Sequence, residues 1–131
     1  MNDRGTAAQG AKPLALVIDD DPYLSKVLCY ALRMNRFRCT TAPTGSDGVK
    51  AVAKRRPDVI LLDLLLPDMD GFEVVTRIQQ ISPVPILVMT ALPEARNKVK
   101  ALGLGAHDFL SKPFDLDEMV GKVNALIGRE E

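Results

Sequence analysis

Tryptophan is absent from this chain, cysteine occurs only twice, and four Phe with two Tyr make up the whole aromatic content. So few large rings mean that a core has to be built from aliphatic side chains, which the 47% apolar fraction supplies. Net charge is missing too, since 17 basic and 17 acidic residues cancel. There is then no global positive field of the kind that nonspecific nucleic-acid binding uses, and direct nucleic-acid binding by this chain is not expected. Cys29 and Cys39 make no CxxC pair, which removes metal-cluster and disulfide-framework readings; both stand in apolar surroundings and are expected to be buried, reduced core residues. No stretch approaches the roughly 20 apolar residues of a membrane span. Residues 1–12 are small and polar, without the apolar centre of a signal peptide, and read as a disordered lead-in. The expectation is one soluble, cytoplasmic domain over 13–128, with a charged tail at 129–131.

What is present is an alternation of short apolar runs with helix-like segments, the signal of an α/β fold built on a parallel sheet. The runs are Leu14 to Ile18, a Thr-rich Arg38 to Ala42, Val59 to Leu62, Pro85 to Met89, and a weaker Ala106 to Leu110. Those at 59–62 and 85–89 are continuously apolar, as central strands buried on both faces are. Between them, Leu24, Val27, Leu28 and Ala31 recur at helical spacing behind Asp21 as N-cap and Pro22 in the first turn. Thr44 to Arg55 puts Val49, Val52 and Ala53 on one face and stops before Pro57. Gly71 to Ile81 and Glu94 to Leu102 give two more helices, the second closed by Gly103 or Gly105. The last carries a stripe of Leu116, Met119, Val120, Val123 and Ile127, with Asp115 as N-cap and Gly128 near the stop.

In a doubly wound sheet, ligands bind beyond the carboxyl ends of the strands, where the strand order reverses. The chemistry-bearing residues fall at those ends. Asp19 and Asp20 close the first run and Asp63 the third, so three carboxylates converge in one pocket, where water, protonation or a cation must compensate their repulsion. An all-oxygen set without Cys or His favours Mg²⁺ over zinc. Thr90 ends the fourth run and Lys112 follows the fifth, adding a hydroxyl and an ammonium suited to phosphate oxygens. Such a pocket can stabilise a phosphoryl group in flight while a carboxylate attacks phosphorus, and Asp63, between the acidic pair and the Thr and Lys, is the candidate nucleophile. Asp68 and Asp70 sit between Pro67 and Gly71 and read as turn residues.

Four ordered blocks, Val17-Ile18-Asp19-Asp20-Asp21, Asp63-Leu64-Leu65-Leu66-Pro67-Asp68-Met69-Asp70-Gly71, Thr90-Ala91 and Ser111-Lys112-Pro113-Phe114, resemble the signature segments of receiver domains in two-component response regulators. The resemblance covers about residues 13–128. It implies a flavodoxin-like (βα)5 fold with a five-stranded parallel sheet in the order 2-1-3-4-5. It implies that Asp63 becomes a phosphoaspartate, that Asp20 binds Mg²⁺ directly and Asp19 through water, and that the Leu65 carbonyl completes the protein's metal ligands. Thr90 would hydrogen-bond the phosphoryl group, Lys112 would pair with it, and Phe109 would change position together with Thr90. The Lys112–Pro113 bond would be cis. The implied partners are a sensor histidine kinase or phosphotransfer protein, docking on the helix Tyr23 to Met34, and a downstream effector or a C-terminal output domain not included in these residues. A homodimer through the fourth helix, fifth strand and fifth helix is also implied, although His107 and Asp117 depart from the charge pattern with which winged-helix regulators dimerise there.

The implied role is a signalling switch, catalysing its own phosphorylation and slow dephosphorylation, and not a turnover enzyme. A haloacid-dehalogenase-type phosphatase would need an acid two residues after the nucleophile, where this chain has Leu65. A pseudo-receiver would have lost an acidic ligand or the lysine, and all are present. Leu65 and Leu92, each two residues beyond a site residue, cannot orient an attacking water, so a slowly hydrolysing phosphoaspartate is expected.

Overall fold

The computed structural model describes residues 11–92 and 95–129. The lead-in expected over 1–12 therefore lies outside the described residues except for Ala11 and Lys12, as do Glu94 and the last two positions of the tail. Five strands, β1 (Leu14–Ile18), β2 (Arg38–Ala42), β3 (Val59–Asp63), β4 (Ile86–Thr90) and β5 (Asp108–Ser111), alternate with α1 (Pro22–Met34), α2 (Gly45–Arg55), α3 (Gly71–Ile81), α4 (Ala95–Gly103) and α5 (Leu116–Leu126). All strand pairs are parallel, in the order β2-β1-β3-β4-β5. This is the expected topology, and its reversal point lies between β1 and β3.

β1, β3 and β4 are buried at every position, which is why they read as unbroken apolar runs. The edge strand β2 is half open and carries Thr instead. Alternate side chains divide the core in two. Leu16, Ile18, Ile60, Leu62 and Val88 pack with Val52, Val74, Ile78 and Ala101 from α2, α3 and α4. Ala15, Val17, Leu61, Leu87 and Met89 pack with Leu28, Leu32, Met119 and Val123 from α1 and α5. Each fully buried Leu, Ile or Met contributes on the order of 2 kcal/mol, so these two layers hold the strand ends rigidly.

Some local expectations are corrected. The buried face of α2 is Gly45, Gly48 and Val52, while Ala53 is exposed. The helix settles on its glycines, and a Cβ at Gly48 would meet Ile18 Cδ1 at 2.5 Å. Asp115 stands at the N-cap of α5 but makes no side-chain cap bond. β5 begins at Asp108 because the Ala106 N–H is taken by the Ala101 carbonyl at 3.0 Å, closing α4. The largest correction concerns the cysteines. Cys29 of α1 and Cys39 of β2 are joined in a disulfide with Cα atoms 5.5 Å apart, not reduced thiols. The pairing arises because α1 folds back over the edge strand, a tertiary contact that the ten-residue spacing does not reveal.

Candidate functional site

At the carboxyl edge of the sheet, Asp19 follows β1 directly and is 2% exposed. Its Oδ1 accepts the Asp21 N–H at 2.9 Å, and its own N–H donates to the Ala42 carbonyl of β2 at 3.1 Å. Asp20, next in the chain, is exposed. Asp63, the last residue of β3, is 5% exposed. Its Oδ1 accepts the Leu65 N–H at 3.0 Å and its Oδ2 accepts from Lys112 Nζ at 2.8 Å. The same ammonium donates to Asp19 Oδ2 at 3.0 Å. Carboxylate oxygens of Asp19, Asp20 and Asp63 lie within 4.8 Å of one another.

Lys112 reaches this cluster from the loop after β5. Its N–H donates to the Thr90 carbonyl at 2.8 Å, and the Lys112–Pro113 bond is cis, as the resemblance implied. Thr90 closes β4, fully buried, with Oγ1 accepting the Leu92 N–H at 3.2 Å. The structure thus joins Asp19 and Asp63 through Lys112, with Asp20 nearby and Thr90 ending the neighbouring strand. Leu65 contributes its backbone, while its side chain is 52% exposed. Phe109 is buried in the layer of Ile60, Leu62 and Val88.

Burial is the main cause that pushes the Asp63 carboxyl above its ordinary value; hydrogen bonds from Lys112 and the Leu65 N–H pull against it, and the Asp19 charge adds to the rise. For Lys112, burial opposes the charge, but hydrogen bonds to Asp63 and Asp19 outweigh it and hold the ammonium above the usual lysine range. A positive charge is therefore already seated among the acids. The donor set fits a further hard cation: three carboxylates, one of them open to solvent, leave room for the waters that Mg²⁺ retains.

The two turn acids have more to do than the sequence reading gave them. Asp70 caps α3, accepting the Phe72 N–H at 3.0 Å. Asp68 accepts the N–H groups of Gly45 and Ser46 at 2.8 and 2.9 Å, binding the loop after β3 to the first turn of α2. These backbone bonds hold its carboxyl below the usual range. The loop is pressed close, because a Cβ at Gly71 would fall 2.6 Å from the Leu64 carbonyl oxygen. No spacing rule shows a cap supplied from 22 residues away.

The model of the response regulator receiver domain matches residues 15–124. The chain belongs to the response regulator receiver family. It is 37% identical over 123 residues to the probable transcriptional regulatory protein TcrX of Mycobacterium tuberculosis, covering 93% of this chain and 53% of that protein. It is 40% identical over 116 residues to the DNA-binding response regulator MtrA of Mycolicibacterium smegmatis, covering 88% and 51%. The chain spans about half the length of these curated relatives. Among solved structures, a two-component response regulator from Clostridium difficile superposes with a TM-score of 0.87 at 27% identity, covering 90% of this chain and 98% of that one. The receiver domain of the Francisella response regulator 1452 gives 0.83 at 31%, covering 88% and 97%. The receiver domain is thus a signalling module homologous to two-component response regulators.

Proposed function

We propose that this receiver, over residues 13–128, takes a phosphoryl group onto Asp63 from a histidine kinase or phosphotransfer protein in the cytoplasm and passes the change to an effector. The observation that carries the reading is the placement of Asp63: nearly buried at a strand end, between an acidic pair and the Lys112 ammonium. In the transfer, an Asp63 carboxylate oxygen forms the bond to phosphorus as the donor's P–N bond breaks, and the leaving imidazole keeps the nitrogen's electron pair and takes up a proton. A bound Mg²⁺, held by Asp19, Asp20, Asp63 and the Leu65 carbonyl, would neutralise the phosphoryl oxygens. Lys112 then turns from its two carboxylate partners toward the phosphoryl charge, and the Thr90 hydroxyl donates to it. Asp63 is held for attack by the Leu65 N–H on its other oxygen.

The protein is on this reading a switch and not a turnover enzyme. Its signal leaves through α4, β5 and α5, where Phe109 links the site to the surface. Val99 is 70% exposed there, with Leu102, Leu104 and Leu116 also open. That surface suits an effector, an output domain or a second copy of the receiver. Mass spectrometry after incubation with acetyl phosphate and Mg²⁺ tests the proposal: the wild type should gain one phosphoryl group and Asp63→Asn none. A gain that persists in the variant overturns the nucleophile assignment.

A further inference from the structure

We propose that Cys29 and Cys39 form a reversible dithiol–disulfide couple that ties α1 to β2 and so tunes the geometry of Asp19; its last step rests on the phosphoacceptor reading above. Cys29 lies mid-helix at 3% exposure, and Cys39 is the half-buried second residue of an edge strand. A cavity of about 470 Å³ runs between these elements, lined by Cys29, Arg33, Lys26, Thr41 and by Asp19 and Asp20. Cys29 and two site acids therefore line the same space, which on this proposal is the route by which a small oxidant or thiol approaches.

The crosslink is not needed to hold the fold. Disulfide staples belong to domains too small to bury a core, whereas both faces of this sheet carry a full aliphatic layer. Its position points to control. Asp21, the N-cap of α1, and Ser25 within the helix hold Asp19 at two atoms: the Asp21 N–H donates to Oδ1 at 2.9 Å, and Ser25 Oγ donates to the Asp19 carbonyl at 3.4 Å. β2 touches the same residue through the Ala42 carbonyl. A covalent tie between α1 and β2 thus fixes both supports of Asp19 at once. Arg33, one turn beyond Cys29, donates to the Cys39 carbonyl at 3.0 Å and so brings a cation to the backbone of one of the two cysteines, and nearby cations favour the thiolate.

The chemistry balances with a low-molecular-weight disulfide such as oxidised glutathione. One protein thiolate attacks its S–S bond and releases a first glutathione; the second thiolate displaces the other, so two glutathione thiols form as the protein gives up two electrons and two protons.

The test uses the full chain, equilibrated in glutathione buffers of set ratio and then treated with an alkylating reagent. Two labels are expected after reduction and none after oxidation. Hydrogen exchange of α1 amides should be severalfold slower in the oxidised form, and phosphorylation by acetyl phosphate severalfold faster. Cys39→Ala, a change at the less buried partner that leaves one thiol, should show the α1 exchange and the phosphorylation rate of the reduced form in both buffers. Two labels in every buffer, or equal α1 exchange in the two forms, overturns the couple. Equal phosphorylation rates overturn the link to Asp19 alone. Absence of phosphorylation in both forms also overturns that link and falls on the proposed function, while labelling and exchange still judge the crosslink.

Discussion

Burial raises the Asp63 carboxyl beside two other carboxylates and Lys112 is the chief group that opposes the rise, so at the scale of single residues the site trades stability for readiness. Because the folded-state carboxyl of Asp63 is raised above its unfolded value, the folded chain binds the proton more tightly, and stability falls as pH rises through that interval. Asp63→Asn removes this penalty while Lys112 retains Asp19. In metal-free buffer at pH 7 the variant should melt a few degrees higher, an advantage that disappears below the ordinary aspartate range. Adding Mg²⁺ should raise the wild-type melting temperature more than that of the variant, as binding to the folded state alone requires. A variant that melts lower than wild type without metal would refute this account of the cluster. The same scale governs lifetime. Leu65 is half exposed at the site's mouth and offers no group to hold water, so label on Asp63 should decay slowly, and Leu65→Asn should shorten its half-life severalfold. Timed loss of phosphoryl mass from purified protein decides the point.

At the scale of elements, Asp68 joins two pieces of structure that the chain separates, the loop after β3 and the start of α2. A carboxylate at a helix N-terminus accepts two otherwise unpaired N–H groups and meets the positive end of the helix dipole. Its folded pKa is lowered, so its contribution is present above the unfolded value and is lost as pH falls through the folded one. Asp68→Ala should therefore lower the denaturation midpoint at pH 7, with the gap to wild type closing in acid. Urea titrations at several pH values measure it, and a gap independent of pH would show that the charge is not what matters. This element also marks where sequence reading succeeds and where it ends. Asp19, Asp63, Thr90 and Lys112 were legible because each stands where an apolar run stops, and a parallel sheet brings all such stops to one edge. Asp68 looked like a turn residue because its partners lie on another element. Ala53 was misplaced because glycines, invisible to an apolar count, form the face on which α2 packs.

At the scale of the whole molecule, the strand order was legible through the family resemblance, while long-range ties between surface elements were not, since nothing in local pattern specifies them. The Cys29–Cys39 bond is one such tie and Arg129 is another. Arg129 follows α5, in the stretch read from sequence as a tail, yet its guanidinium donates to the carbonyls of Asn35 at 2.8 Å and Arg36 at 3.1 Å and stacks over the Phe37 ring at 4.5 Å from its centroid. Those three residues form the turn between α1 and β2, in which Arg36 adopts a left-handed φ of 68° that favours glycine. A planar fork meets two carbonyls and a ring face together, which a lysine ammonium cannot do. Hydrogen bonds to a charged donor contribute about 1.5–3 kcal/mol where buried, and partial exposure here reduces that, so Arg129→Ala should cost about 1 kcal/mol and Arg129→Lys most of the same amount. Chemical denaturation should show a lower midpoint with an unchanged slope, because the surface exposed on unfolding stays the same. Since α1 also supports Asp19, hydrogen exchange in Arg129→Ala should quicken at the α1–β2 turn while β3 and β4 stay protected. Uniform quickening across the sheet would mean that the contact supports global stability alone.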